Sequence, residues 1–240
     1  MEVGRGTLSA QIMDAIGHRI VAGHYRSGEA LPPESALCDE YQVSRTPLRE
    51  AVKRLHAKGL VAVGPRAGTR VLAEAEWHQL DPDLLRWRFA AGPDEALVGH
   101  LYELRTALEP EACRLAALHG LAAEHAAIAA AIARMEAVRL DLEKTVEADV
   151  AFHGTIIAAT RNPFMVSVGS VVRLLLGFSF NVRTDRTVIP PAELAQHRAI
   201  ADAILARDAD GAAEAMRTLL AESRRSLTAA LARHPSSRRS

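Results

Sequence analysis

Residues 60–71 break a period that the chain keeps almost everywhere else. Upstream, Leu8, Ile12, Ile16 and Ile20 recur every four residues. Downstream, Leu97, Leu101, Leu104, Leu108, Leu115 and Leu118, and then Ile128, Ile132, Met135, Val138 and Leu142, keep the spacing of helix faces. Between these blocks Leu60-Val61-Ala62-Val63 and Thr69-Arg70-Val71 flank Gly64-Pro65-Arg66-Ala67-Gly68, the pattern of two short strands around a glycine-rich loop. A mostly α chain with one hairpin follows. Composition agrees, because 45 alanines favour helix on propensity while 4% aromatics give strands little to pack.

What precedes the hairpin gives it a role. The first helix ends near Gly23, Gly28 and Leu31-Pro32-Pro33 reset the chain, and Glu34 to Tyr41 reads as a short second helix burying Leu37 and Tyr41. Gln42-Val43-Ser44 is a tight connection to a third helix running to about Lys58. Ser44 or Thr46 can cap that helix, and Pro47 stands in its first turn, where a missing N–H costs nothing. Leu48, Ala51, Val52 and Leu55 form its buried face, while Arg45, Thr46, Arg49 and Lys53 share a polar strip. This is the layout of a winged helix-turn-helix, whose third helix enters the major groove N-terminus first. Arginine can bridge guanine O6 and N7, and threonine can take base edges or phosphate. Ser44, Arg45, Thr46, Arg49 and Lys53 of the helix start, with Arg66, Gly68 and Thr69 of the wing, are therefore the expected contacts to double-stranded operator DNA. The alternative is a small helical subdomain with a hairpin of no special purpose. Charge proves nothing by itself but leaves only the first part as a plausible phosphate partner: the chain is neutral overall, but residues 1–72 hold 10 Lys+Arg against 7 Asp+Glu, and residues 73–240 hold 19 against 22.

A chain of 240 residues has room for one to two domains. The expected division is residues 1–72 for DNA binding, 73–93 as a linker helix, 94–233 as an all-helical antiparallel bundle, and 234–240 as a disordered tail. In the linker, Trp77, Leu80, Leu84, Leu85 and Trp87 surround Asp81-Pro82-Asp83, which caps a short helix before Gly92-Pro93. Further helical segments near 145–160, 163–182, 191–206 and 210–232 are separated by Asn162-Pro163, Pro190-Pro191 and Asp208 to Gly211, giving six or seven helices in the bundle. Cys38 and Cys113 stand far apart with no CxxC spacing, which argues against a disulfide scaffold or a thiolate zinc site. No apolar run approaches the roughly 18 residues of a membrane helix, since Met165 to Phe180 is cut by Arg173, and the first residues lack a signal-peptide core. A cytoplasmic protein without a membrane partner is expected.

In the second half the informative residues are polar ones on apolar faces. Asp149 and His153, four apart, lie on one helix face, and His197 occupies the buried side of another, between Leu194 and Ile200. A carboxylate and imidazoles meeting inside a bundle suit a divalent transition metal such as zinc, because a shared cation makes their burial tolerable. Hydrogen-bonded core histidines are the alternative. Arg105 flanks the stripe of Leu101, Leu104 and Leu108, where its planar fork suits a carboxylate; here the alternative is an ion pair with Glu109, one helical turn on.

Leu31-Pro32-Pro33-Glu34, Leu37-Cys38, Val43-Ser44-Arg45-Thr46-Pro47-Leu48-Arg49-Glu50-Ala51, Leu55, Gly59-Leu60 and a following Gly-x-x-x-Gly-Thr wing resemble, over about residues 7–72, the DNA-binding domain of GntR-family transcription regulators. Ser35 stands where family members often carry arginine. Glu103-Leu104-Arg105, Leu108-Glu109-Pro110, Asp149 with Phe152-His153, Asn162-Pro163, His197-Arg198-Ala199-Ile200, Asp208 and Ala215-Met216-Arg217 resemble the effector domain of the family's fatty-acid-regulator branch, the FCD domain. The stretch from Trp77 to Trp87 is similar to galactonate-operon repressors of that branch. The resemblance implies a homodimeric repressor, a small carboxylate effector of the sugar-acid type met by Arg105, and a metal held by one Asp and three His. Asp149, His153 and His197 match three of those ligands, and the fourth falls on Leu219. A metal-sensing regulator without an organic effector and a metal-dependent enzyme are the rival readings. The enzyme is disfavoured because nothing beside the three residues supplies a general base or nucleophile.

Overall fold

The structure is a computed structural model describing residues 7–64, 68–92, 95–182 and 190–233. Arg66 of the wing and the expected tail at 234–240 lie outside the described residues. The chain divides into two compact units, Met1–Pro93 and Asp94–Ser240.

In the first unit α1 (Leu8–Val21), α2 (Glu34–Tyr41) and α3 (Arg45–Ala57) precede a hairpin of β1 (Val61–Gly64) and β2 (Gly68–Val71), and α4 (Pro82–Ala90) ends the unit. Ile12, Met13, Ile16 and Ile20 of α1 and Leu48, Ala51 and Leu55 of α3 meet in one apolar core with Leu37, Leu60, Val61 and Val71. Gln42, at φ 52°, closes α2 with a left-handed residue and turns the chain into α3. Ser44 stands at the N-cap of α3, one of the two expected positions, but its side chain makes no capping hydrogen bond there. The strands pair antiparallel with Val61 opposite Val71 and Gly64 opposite Gly68. A further edge joins them, unannounced by the sequence: Leu31 N–H donates to Thr69 O and Val71 N–H to Glu29 O, at 2.8 and 2.9 Å.

The described part of the expected linker 73–93, residues 73–92, is bound into this unit. Asp81 caps α4 by accepting from Asp83 N–H and Leu84 N–H. Lys58, at the end of α3, reaches Asp81 and Asp83 at 2.9 and 2.7 Å. The indole of Trp87 lies over Gly17 of α1, where an added Cβ would stand 2.5 Å from the ring, and its Nε1 donates to Asp14.

The second unit is a bundle of α5 (Glu95–His119), α6 (Ala122–Val138), α7 (Leu142–Ala159), α8 (Pro163–Val182), α9 (Pro191–Leu205) and α10 (Ala209–Arg233). Short connections fold α6 back on α7, α7 on α8 and α9 on α10, and α5 packs along α10. Local signals set the ends: Asp141 accepts from Lys144 N–H, Asn162 from Phe164 N–H, and Asp208 from Gly211 N–H. Leu142 begins α7 rather than extending the α6 face, because Asp141 already caps a new helix. The leucine stripe expected to be the inner face of α5 is displaced. Val98, Leu101, Tyr102, Arg105, Glu109, Ala112, Cys113 and Ala116 are buried, whereas Leu97, Leu104, Leu108 and Leu115 are half-buried and Leu118 is exposed. A charged pair occupies the middle of the true inner face, so the leucines beside it carried the apolar pattern. Cys38 and Cys113 are free thiols.

Candidate functional site

On the first unit the start of α3 presents Ser44, Arg45, Thr46, Arg49 and Lys53, all exposed, opposite the buried Leu48, Ala51 and Leu55. Arg49 is engaged: its Nε and Nη2 donate to the two carboxylate oxygens of Glu34, the first residue of α2, at 2.7 and 3.2 Å. That bond holds Glu34 below the usual carboxylate range. Lys53 pairs with Glu50 at 2.7 Å. Arg45 has no ion-pair partner among the described residues. In the wing Gly68 is exposed at φ 68°, a left-handed turn conformation that favours glycine. Thr69 is half-buried, and the Arg70 guanidinium bonds the Gly28 carbonyl.

The second unit collects its charges inside. Arg105 and Glu109 from α5, Asp149 and His153 from α7 and His197 from α9 are all buried. Arg105 Nε donates to one oxygen of Glu109, and the other oxygen meets His153 Nδ1. His153 Nε2 lies 3.8 Å from Asp149 Oδ1, and His197 Nε2 lies 3.0 Å from the same oxygen. His197 Nδ1 is 2.7 Å from the Glu193 carbonyl oxygen, which can only accept, so Nδ1 carries the proton. Phe152 packs edge-on to both imidazoles, and the two imidazoles stand at 90° to each other. Burial pushes the Glu109 carboxyl up, but the charges of Arg105 and His153 more than reverse this and bring it to about 2. Asp149 is likewise lowered against its burial, by His197 and His153. His197 is raised, because Asp149 outweighs the desolvation of its charged form.

Two atoms in this cluster lack hydrogen-bond partners among the described residues: Arg105 Nη1 and His197 Nε2. Though near Asp149, His197 Nε2 is not aligned to bond it. One ligand atom each from Asp149, His153 and His197 falls within 4.8 Å of the others. The donor set of one carboxylate and two imidazoles, with the far nitrogen of each ring held by Glu109 or by the Glu193 carbonyl, fits a divalent transition ion and the outer partners such an ion's histidines take. Leu219, the position of the implied fourth ligand, is buried in the apolar core with Phe152, Ile200 and Met216. Three candidate ligands are thus brought together, and Arg105 stands beside them through Glu109. The sequence offers Glu109 as a rival partner for Arg105 but gives no sign of its second contact. The Arg105–Glu109 spacing of four was visible, whereas the bond to His153 spans 44 residues and had no local signal.

Residues 8–71 match the family described as bacterial regulatory proteins, gntR family, and residues 100–222 match the FCD domain. The chain is 38% identical over 215 residues to the HTH-type transcriptional regulator YieP of Escherichia coli (strain K12), covering 89% of this chain and 92% of that protein. It is 32% identical over 221 residues to the galactonate operon transcriptional repressor of the same strain, covering 90% and 95%. Among solved structures, Lar, which controls the expression of the Listeria monocytogenes agr system, superposes with a TM-score of 0.67 at 20% identity over 93% of this chain and 97% of that one, a likeness of fold. A recognition helix with its wing, a helical unit with an internal polar cluster and these matches along most of the length lead to one conclusion: the chain belongs to the GntR family, in the branch carrying an FCD domain, and is a transcription regulator rather than an enzyme.

Proposed function

We propose that this regulator represses an operon for the use of a sugar acid or a similar small carboxylate, and that the effector binds in the helical unit beside a divalent transition ion held by Asp149, His153 and His197. The observation that carries the reading is the pair of buried polar atoms without a hydrogen bond among the described residues, Arg105 Nη1 and His197 Nε2. A buried polar atom without a partner is costly; a carboxylate near Arg105 would accept from Nη1, and an ion at the histidines would take the Nε2 lone pair of His197. When bound, the ion supplies Lewis-acid positions that oxygen ligands complete; with Leu219 in place of a ligand, more of those positions fall to water or effector. The relative that represses a galactonate operon supports an aldonate as the class to try first.

Operator contacts are assigned to Ser44, Arg45, Thr46, Arg49, Lys53, Arg66, Gly68 and Thr69, in a homodimer that protects a near-palindrome. The effector acts by binding one DNA-binding state better than the other.

Calorimetry of gluconate and galactonate against the zinc-loaded chain tests the effector assignment. A binder is expected, with affinity at least about tenfold weaker in Arg105→Ala, since a charged contact is lost. A second reading, a metal sensor without organic effector, is favoured by one observation: Glu109 already neutralises Arg105. Under that reading the acids do not bind, and DNA affinity follows zinc alone.

A further inference from the structure

Glu109 stands between the two halves of the buried cluster and touches both. One of its oxygens accepts from Arg105 Nε and the other faces His153 Nδ1, with the residue itself 2% exposed. A guanidinium Nε can only donate, so that oxygen is committed. On the far side of the His153 ring, Nε2 is 3.8 Å from Asp149 Oδ1, too far for a proton on Nε2 to be shared. The proton of a neutral His153 therefore belongs on Nδ1, against Glu109.

We propose that Glu109 is a positioning residue that locks His153 in its Nδ1-protonated form, so that the Nε2 lone pair faces Asp149 and His197, while holding Arg105 by Nε and leaving Nη1 free for an anion. The metal half of this inference rests on the ion site proposed above; the tautomer half does not. Two donors that meet at one side chain, Arg105 Nε and His153 Nδ1, require two acceptors, and a carboxylate supplies both. Glutamine at 109 has the same shape but a single acceptor. The charge-assisted bond to Arg105 takes that carbonyl oxygen, which turns the amide NH2 toward His153. Nδ1 must then accept, the proton moves to Nε2, and the ring loses the lone pair it would give to an ion.

The test is a long-range proton–nitrogen spectrum of the metal-free, isotopically labelled full chain at pH 8, with His153 assigned by its loss in His153→Gln. Wild type should show His153 protonated on Nδ1. Glu109→Gln should show it protonated on Nε2 and, by competition with a chelating dye, bind zinc about 10- to 100-fold more weakly, the usual cost of losing an outer partner. The double variant Arg105→Met, Glu109→Gln frees the glutamine carbonyl for His153 and should regain the Nδ1 form and most of the zinc affinity. A residue that only stabilised the fold would give no such rescue. A wild-type His153 protonated on Nε2 overturns the proposal even if Glu109→Gln does not fold, and so does a folded Glu109→Gln that binds zinc like wild type. If wild type takes up no zinc, the ion site fails, and the spectrum alone decides for or against Glu109.

Discussion

The two units place an arginine–glutamate pair in opposite settings. On the first unit Arg49 and Glu34 join neighbouring helices in water, with side chains 63% and 37% exposed. In the second, Arg105 and Glu109 sit one turn apart with side chains 3% and 2% exposed. Exposed pairs are screened and readily exchanged. Such a pair can orient Arg49 and still yield it to a phosphate or a base. The buried pair cannot be dismantled without leaving a charge in a low-dielectric interior. The same two residue types thus make a surface that is adjustable and a core that is fixed.

Removing one partner should cost far more in the buried pair than in the exposed one. Glu109→Ala should destabilise the metal-free chain by about 3–5 kcal/mol, because Arg105 would be left charged and uncompensated. Glu34→Ala should leave the melting temperature nearly unchanged. Thermal unfolding of both variants checks this.

Next in size is the effect on DNA. In a folded Arg49→Ala variant, operator affinity should fall roughly five- to a hundredfold, the worth of one good arginine contact. Fluorescence anisotropy at fixed salt measures it, and an unchanged affinity would remove Arg49 from the recognition surface.

The buried unit should also answer to pH in a definite direction. His197 has a folded-state pKa above its ordinary value near 6.5, so its contribution is complete below that value and is lost as pH rises through the raised one. Metal-free wild type should therefore lose stability from about pH 6.5 upward, an effect absent from His197→Asn. Zinc, which needs the neutral ring, should stabilise the chain more at higher pH. Glu109 acts at the other end: its contribution is present above the ordinary glutamate value of 4.5 and is lost as pH falls toward about 2. Melting curves across pH, with and without zinc, separate the two.

The smallest effect belongs to Lys53, which is highly exposed and paired with Glu50. Lys53→Ala should weaken DNA binding uniformly across sequences and reduce the salt slope by about one. A change in sequence preference instead would make Lys53 a base reader.

Much of this arrangement is legible in the chain because its signals are local. Asp81, Asn162 and Asp208 mark helix starts through their own side chains, and the spacing of Leu48, Ala51 and Leu55 marks the inner face of α3. Asp149 and His153 share a face by simple periodicity. What escapes is non-local or counter to pattern. The bonds from Leu31 to Thr69 and from Val71 to Glu29 add an edge to the wing that no hairpin signal announces. On α5, Arg105 and Glu109 fill the buried face with polar residues, so apolar periodicity pointed to the half-exposed leucines beside it. Burial of charge is visible only once His153, 44 residues away, is brought against Glu109.

Calorimetric titration of zinc into the metal-free chain tests most directly the claim that the inward-facing charges are built around an ion. One site per chain is expected, lost in His153→Ala while the helical circular dichroism is kept, and tightened in Leu219→His, where a fourth ligand is restored. Absence of binding, or binding that His153→Ala leaves unchanged, would contradict it and make Asp149, His153 and His197 a hydrogen-bonded core.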